Sequence, residues 1–221
     1  MHNFDIIRHF LAPVTLIGAG EACHNVITEC LIHAKNVVAA DGGARIALSA
    51  GVIPDAVIGD FDSISAADMA QIPADRLFRI PEQDSTDFDK CLARIKAPLI
   101  LAAGFLGARS DHALAAFNTL VRAQAMVILV GPHDVALHLR GGRRYCFNLV
   151  DGARVSLFPM MPVCGTSNGL AWPIDGIKFA PGGRIGTSNR ADGPVEIAMD
   201  GDGMIALFDF SDLHRVLTAL G

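Results

Sequence analysis

The feature that most constrains this chain is an alternation of short apolar segments with segments of helical period. VTLIG (14–18), VVAAD (37–41), AVIGD (56–60), RLFRI (76–80), LILAAG (99–104) and MVILV (126–130) read as strands. Between them, TDFDKCLARI (86–95) and DHALAAFNTLVRAQA (111–125) carry apolar residues at helical spacing. Strands that are apolar without interruption must be covered on both faces, which is the condition of a parallel sheet between helices. After about Gly131 the pattern changes. VALHL (135–139), RVSLF (154–158), VEIAM (195–199) and MIALF (204–208) are short runs separated by turn signals, among them Asp-Gly at 151–152, 175–176, 192–193 and 202–203. That pattern predicts an all-β sandwich or barrel, closed by a short helix over 211–220. The expected fold class is α/β plus all-β: an α/β domain with a mainly parallel sheet over 1–131, then a β-sandwich over 132–221.

Composition removes several alternatives. With 51% hydrophobic and 19% charged residues among 221, the chain is not globally disordered. Its longest uncharged apolar stretch, 97–108, is too short to cross a bilayer as a helix. Asp5 and Arg8 interrupt the N-terminal apolar run, which does not read as a signal peptide. The expectation is a cytoplasmic protein with no membrane partner. The net charge of −5, with no basic run or aromatic ladder, argues against nucleic acid. Five cysteines, an odd number without a Cys-x-x-Cys pair, disfavour both a disulfide scaffold and structural zinc.

In an open parallel sheet, ligands bind outside the carboxyl ends of the strands. Asp41-Gly42-Gly43 follows the second predicted strand, and Gly59-Asp60-Phe61-Asp62-Ser63 follows the third. Gln83-Asp84-Ser85-Thr86-Asp87 follows the fourth, and Gly107 with Arg109-Ser110-Asp111-His112 follows the fifth. Carboxylates gathered on one sheet edge without matching cations repel one another, and a divalent cation relieves that repulsion. An all-oxygen set suits Mg²⁺, which takes one or two carboxylates together with substrate phosphates. Glycine-rich turns at helix starts offer N–H groups to phosphate, and Arg45, Lys90 and Arg109 lie close in sequence to neutralise it.

Each piece also has a structural reading. Asp41-Gly42-Gly43 alone is a common turn, and Asp60 with Asp62 is a loop pair able to cap a helix. Thr86 with Asp89 fits a capping box, while Asp111 fits an N-cap. His112 alone is an ordinary surface or packing histidine. Trp172, the single tryptophan, either packs or stacks on a ring. Gly18-Ala19-Gly20 begins like a dinucleotide fingerprint, but Cys23 stands at the third glycine position.

Taken jointly, Asp41-Gly42-Gly43-Ala44, Gly59 to Ser63, Gln83 to Lys90 and Gly107 to His112 are similar in order and spacing to the motifs of the thiamine pyrophosphokinase family. Gly169-Leu170-Ala171-Trp172-Pro173 and Thr187-Ser188-Asn189 resemble its later motifs. The resemblance implies a catalytic α/β domain, a thiamine-binding β-sandwich and a homodimer with active sites at the interface. It implies transfer of a pyrophosphoryl group from ATP to thiamine, giving thiamine diphosphate and AMP. By the same resemblance Asp60, Asp62 and Asp87 hold Mg²⁺. Gln83, Thr86, Lys90, Arg109 and Asp111 then surround the phosphates, with Asp41, Gly42, Gly43, Asp84, Gly107 and His112 lining the nucleotide site. Ser188, Asn189 and Trp172 meet thiamine.

Two departures stand out. Ala108 occupies a position where the family carries glycine, which adds a methyl beside the phosphates. Arg190 and Ala191 follow the Ser-Asn motif, where some members carry an aromatic residue. The competing readings are another Mg²⁺-dependent phosphoryl or nucleotide-sugar transferase, and a non-catalytic module that binds nucleotide or thiamine.

Overall fold

The computed structural model describes residues 5–107 and 109–220, so Ala108 and its expected crowding of phosphate lie outside the described residues. The chain divides into two compact units, Met1–Pro132 and His133–Gly221.

The first unit runs β1 (Arg8–His9), β2 (Val14–Ile17), α1 (His24–His33), β3 (Asn36–Ala40), α2 (Gly43–Ser49), β4 (Ala56–Gly59), α3 (Ala66–Met69), β5 (Leu77–Arg79), α4 (Asp87–Arg94), β6 (Ile95–Lys96), β7 (Ile100–Ala103), α5 (Ser110–Arg122) and β8 (Val127–Val130). Six of these strands lie in the order β8-β7-β2-β3-β4-β5, and each neighbouring pair is parallel. Every residue of β2, β4, β7 and β8 is buried, which explains why these strands carry no alternating polar positions. β1 and β6 form a separate short parallel pair. The chain moves outward from β2 to β5 and then returns to β7 on the other side of β2. The carboxyl ends of β3, β4 and β5 are therefore neighbours on one edge, which sets the loops after them side by side.

Close backbone packing at that edge needs glycine. A Cβ on Gly43 would stand 2.0 Å from the Ile17 carbonyl oxygen, and one on Gly59 would stand 2.6 Å from the Asp41 Cβ.

The second unit contains β9 (Asp134–Leu139), β10 (Arg144–Phe147), β11 (Arg154–Pro159), β12 (Gly165–Leu170), β13 (Gly186–Met199), β14 (Met204–Asp209) and α6 (Leu213–Thr218). All its strand pairs are antiparallel. With the parallel pairs of the first unit, this makes a mixed-sheet protein with few helices. β13 is 14 residues long. Its first part pairs with β11, and its later part runs between β10 and β12. The Asp192-Gly193 pair, expected as a turn, lies inside this strand, where Gly193 has φ +85°. A ladder partner on the strand overrides the local turn preference, and glycine admits the irregular backbone. β10 and β12 were not expected; β12, GTSNGL, has no apolar alternation to show it. Tyr145, Phe147 and Phe208 fill the interior, with Phe147 and Phe208 ring centroids 4.8 Å apart.

Candidate functional site: a carboxylate cluster at the ends of β3, β4 and β5

Asp41 stands one residue beyond β3 with φ +44°, a left-handed conformation that aspartate tolerates better than most residues. Its side chain is buried, only 1% exposed. The Ser63 N–H donates to its Oδ2 at 3.1 Å, while its Oδ1 is buried with no hydrogen-bond donor. Asp41, Asp60 and Asp62 each offer an oxygen, and the three oxygens lie within 4.8 Å of one another.

Asp60 is held from several sides. Gln83 Nε2 donates to its Oδ2 at 2.8 Å, Lys90 Nζ approaches the same oxygen at 3.3 Å, and the Asp62 N–H donates to its Oδ1 at 3.2 Å. Lys90 is buried on α4 and also bonds Asp87 Oδ1 at 3.0 Å. The sequence reading put Asp87 in a metal set with Asp60 and Asp62. In the structure Asp41 also lies with Asp60 and Asp62, and Asp87 is bound to the Lys90 ammonium within reach of the charges of Asp60 and Asp62.

The charges shift accordingly. Burial pushes the Asp41 carboxyl up to about 6, against the Ser63 hydrogen bond, and the charges of Asp87 and Asp60 and the approach of Asp62 add to the rise. Hydrogen bonding from Gln83 foremost holds Asp60 below the usual carboxylate range. Burial raises Asp87 even though Lys90 works against it. For Lys90, burial acts downward, but the bonds to Asp87 and Asp60 outweigh it and the net shift is upward.

The folded Asp41 pKa of about 6 lies above its ordinary 3.8, so its ionisation destabilises the metal-free fold. The penalty is absent below about pH 4 and grows to full size as pH rises through about 6. Asp41→Asn keeps an acceptor for Ser63 and removes the charge. Thermal unfolding in EDTA should show the variant about 1–2 kcal/mol more stable at pH 7.5 and close to wild type at pH 4.5. A less stable variant at pH 7.5 would contradict this account of Asp41.

The other expected nucleotide residues are spread more widely. Thr86 is the N-cap of α4 in a reciprocal capping box with Asp89, so its hydroxyl serves the helix. Asp84 is exposed and lines a separate recess of about 350 Å³ along α4 and α5, with Asp89, Thr119 and Arg122. Arg109 and Asp111 are two-thirds exposed and pair with each other at 2.7 Å, not with the cluster. Asp111 sits in the first turn of α5, and the N-cap position is Arg109 without a side-chain cap. His112 and Gly107 are exposed, while Gly42 and Gly43 are buried at the start of α2. Sequence reasoning missed Ser63, which pins Asp41. It also missed Glu82, which accepts from the Asp84 and Ser85 N–H groups and shapes the loop before α4. Only the Glu-x-x-Ser spacing signalled the second.

In the second unit, Trp172, Ser188 and Asn189 line one recess of about 480 Å³ together with Ile174, Phe179 and Arg184. Asn189 is buried and its amide is engaged: Oδ1 accepts from the Trp172 N–H at 3.2 Å and the Arg190 N–H at 2.9 Å, and Nδ2 donates to the Trp172 carbonyl at 2.7 Å. Asn189, expected to touch thiamine, thus fastens the Trp172 segment to β13. Arg190, in place of an aromatic residue, lays its guanidinium 5.3 Å from the Trp172 ring centre.

The donor set of Asp41, Asp60 and Asp62 fits a hard divalent cation. It is all oxygen, and Asp41 brings to it a buried carboxylate with one oxygen that has no donor.

Residues 27–130 match the family model for the thiamin pyrophosphokinase catalytic domain, and residues 147–203 match that for the thiamin pyrophosphokinase vitamin B1 binding domain. Thiamine pyrophosphokinase 2 of Oryza sativa subsp. japonica is 31% identical over 191 residues, covering 71% of each chain. Thiamine pyrophosphokinase 1 of Arabidopsis thaliana is 27% identical over 190 residues, again 71% of each. The solved thiamin pyrophosphokinase from Candida albicans superposes with a TM-score of 0.77 at 18% identity, covering 95% of this chain and 94% of its own. That from Bacillus subtilis gives 0.72 at 21%, with 89% and 98% covered. The overall fold is thus shared with these solved pyrophosphokinases. The chain belongs to the thiamine pyrophosphokinase family.

Proposed function

We propose that this protein transfers the pyrophosphoryl group of ATP to the hydroxyl of thiamine, producing thiamine diphosphate and AMP. The observation that carries the reading is the carboxylate cluster at the strand ends, with a buried lysine linking its Asp60 to Asp87, in a chain of this family. The thiamine oxygen attacks the β-phosphorus, and the bond from that phosphorus to the oxygen joining it to the α-phosphorus breaks, releasing AMP. Such transfer depends on positioning and charge neutralisation more than on covalent catalysis. Mg²⁺ held by Asp60 and Asp62 would supply neutralisation of phosphate charge. Gln83 and Lys90 orient Asp60. Asp87 and Asp111 are the carboxylates able to accept the hydroxyl proton, and of these Asp87 is the better base. Burial raises its carboxyl, whereas Arg109 holds that of Asp111 low. Arg109, exposed at the start of α5, is accessible to phosphate.

The second unit is read as a β-sandwich because its two ladders share β13. Its recess beside Trp172 is the thiamine site in this reading, lined by Trp172, Ser188 and Asn189. A homodimer and a cytoplasmic location complete the reading and rest on the family resemblance and on the sequence. Among the described residues no helix is long and apolar enough to cross a membrane.

Phosphorus NMR of the protein with ATP, Mg²⁺ and thiamine tests the reading. AMP and thiamine diphosphate should appear together and only with metal. ADP or inorganic phosphate in their place would favour a different phosphoryl transferase or a hydrolase. Thiamine binding without turnover would favour the non-catalytic module.

A further inference from the structure

We propose that Glu82 is a positioning residue of the transfer reaction: its carboxylate curls residues 82–85 and so fixes Gln83 against Asp60. The inference rests on the pyrophosphoryl-transfer reading above and assigns a role to a side chain that acts through its neighbours.

Between β5 and α4 the chain leaves its ladder. The Ile80 N–H still donates to the Gly59 carbonyl at 2.7 Å, and Pro81 then has no N–H to give. Among the described residues, no hydrogen bond between backbone groups holds the segment 82–85. The Glu82 side chain holds it instead. Its Oε2 accepts from the Asp84 N–H at 2.9 Å and the Ser85 N–H at 3.2 Å, and its Oε1 accepts from the Ser85 hydroxyl. Hydrogen bonds to an ionised carboxylate are stronger than those between neutral groups. The Ser85 hydroxyl foremost holds Glu82 below the usual carboxylate range, so it is ionised at neutral pH.

The curl decides where Gln83 goes. Gln83 lies between Glu82 and the two N–H groups that Glu82 binds, and its Nε2 donates to Asp60 Oδ2 at 2.8 Å. Lys90 approaches the same oxygen at 3.3 Å from within α4. One oxygen is thus met by two donors from a single segment, Gln83 before the helix and Lys90 inside it. Thr86 caps α4 directly after the curl, so the bend at 82–85 sets the distance between those donors. Without the Glu82 carboxylate, Gln83 sits on a loop with no backbone partner, and its amide loses a fixed path to Asp60. A misplacement of about 1 Å away from the chemistry can cost on the order of 100-fold in rate.

Rates of AMP release with ATP, Mg²⁺ and thiamine, together with amide hydrogen exchange of the full-length protein, test this. Glu82→Ala should lower kcat by about 30-fold and leave KM for thiamine within about three-fold of wild type. Glu82→Asp should recover most of the rate, since aspartate also accepts from N–H groups just ahead of it in the chain. Glu82→Ala combined with Gln83→Ala should be no slower than Gln83→Ala alone, because both remove one interaction. Exchange of the Asp84 and Ser85 amides should quicken by about ten-fold or more in Glu82→Ala, with the amides of Cys91 and Leu92 in α4 unchanged. A kcat within about three-fold of wild type in Glu82→Ala would overturn the proposal, as would additive losses in the double variant. Glu82→Asp as slow as Glu82→Ala would also overturn it. So would faster exchange throughout α4, which would make the role of Glu82 one of stability. A wild type that releases no AMP with thiamine would overturn the pyrophosphoryl-transfer reading and this inference with it. An active wild type with an equally active Glu82→Ala overturns the inference alone.

Discussion

Asp62→Asn is expected to lower thiamine diphosphate formation by about 1000-fold while leaving the unfolding temperature within about 2 °C of wild type. Asp62 suits this test because its structural ties are slight. The side chain is exposed, and the neighbouring Ser63 hydroxyl donates to it. The Asp62 N–H that supports Asp60 belongs to the backbone and survives the substitution. Asparagine keeps size and one oxygen but removes the charge that holds a hard cation. Asp60 is a poorer choice because Gln83 and Lys90 both lean on it, and its loss removes one of the two carboxylates that hold a buried lysine. Turnover within about ten-fold of wild type in Asp62→Asn, measured by AMP release, would remove Asp62 from the metal set.

The second large effect is on the fold. Gly43→Ala is expected to destabilise by at least about 4 kcal/mol, and many preparations of it should be unfolded or aggregated. The added Cβ meets Ile17 O at 2.0 Å, Ile17 C at 2.8 Å and Gly18 C at 3.1 Å, all backbone atoms of the central strand β2 and the loop after it. No rotamer relieves a clash with backbone, so α2 must lift away from β2 and carry Asp41 with it. Gly42→Ala is the control. Its Cβ would meet Ala19 Cβ and Ser63 Cβ at 3.2 Å, a tight but adjustable contact, and the expected cost is about 1 kcal/mol. Urea unfolding of both variants checks the contrast. Equal stability of the two would show that the β2–α2 approach is looser than described.

Legibility in the sequence followed the range of the interactions. The apolar runs at 14–18, 56–60, 99–104 and 126–130 marked buried strands because burial on both faces leaves its mark residue by residue. Thr86 and Asp89 were legible as a capping box because the reciprocal bonds span one helical turn. β12 and the first part of β13 were not legible. Their polar, glycine-containing sequences have little strand preference, and ladder partners distant in sequence hold them extended. The hydrogen bonds of Asn189 were not legible either. A buried amide shows its partners only when the Trp172 segment folds against it.

At the site the division is sharper. By itself the sequence determined that acidic and glycine-rich turns follow successive parallel strands, since hydrophobic period and turn chemistry are local. It also placed Asp60 and Asp62 together, because two residues apart in one loop they cannot be far separated. Only the tertiary structure decided that Asp41 joins them and that Asp87 is bound to Lys90. Those assignments depend on β3 and β4 lying side by side, on Ser63 turning its N–H toward Asp41, and on a lysine 30 residues from Asp60 reaching the same oxygen as Gln83. Charge pairing inside a fold is set by distances of a few ångströms between segments far apart in the chain, and no local pattern carries that information.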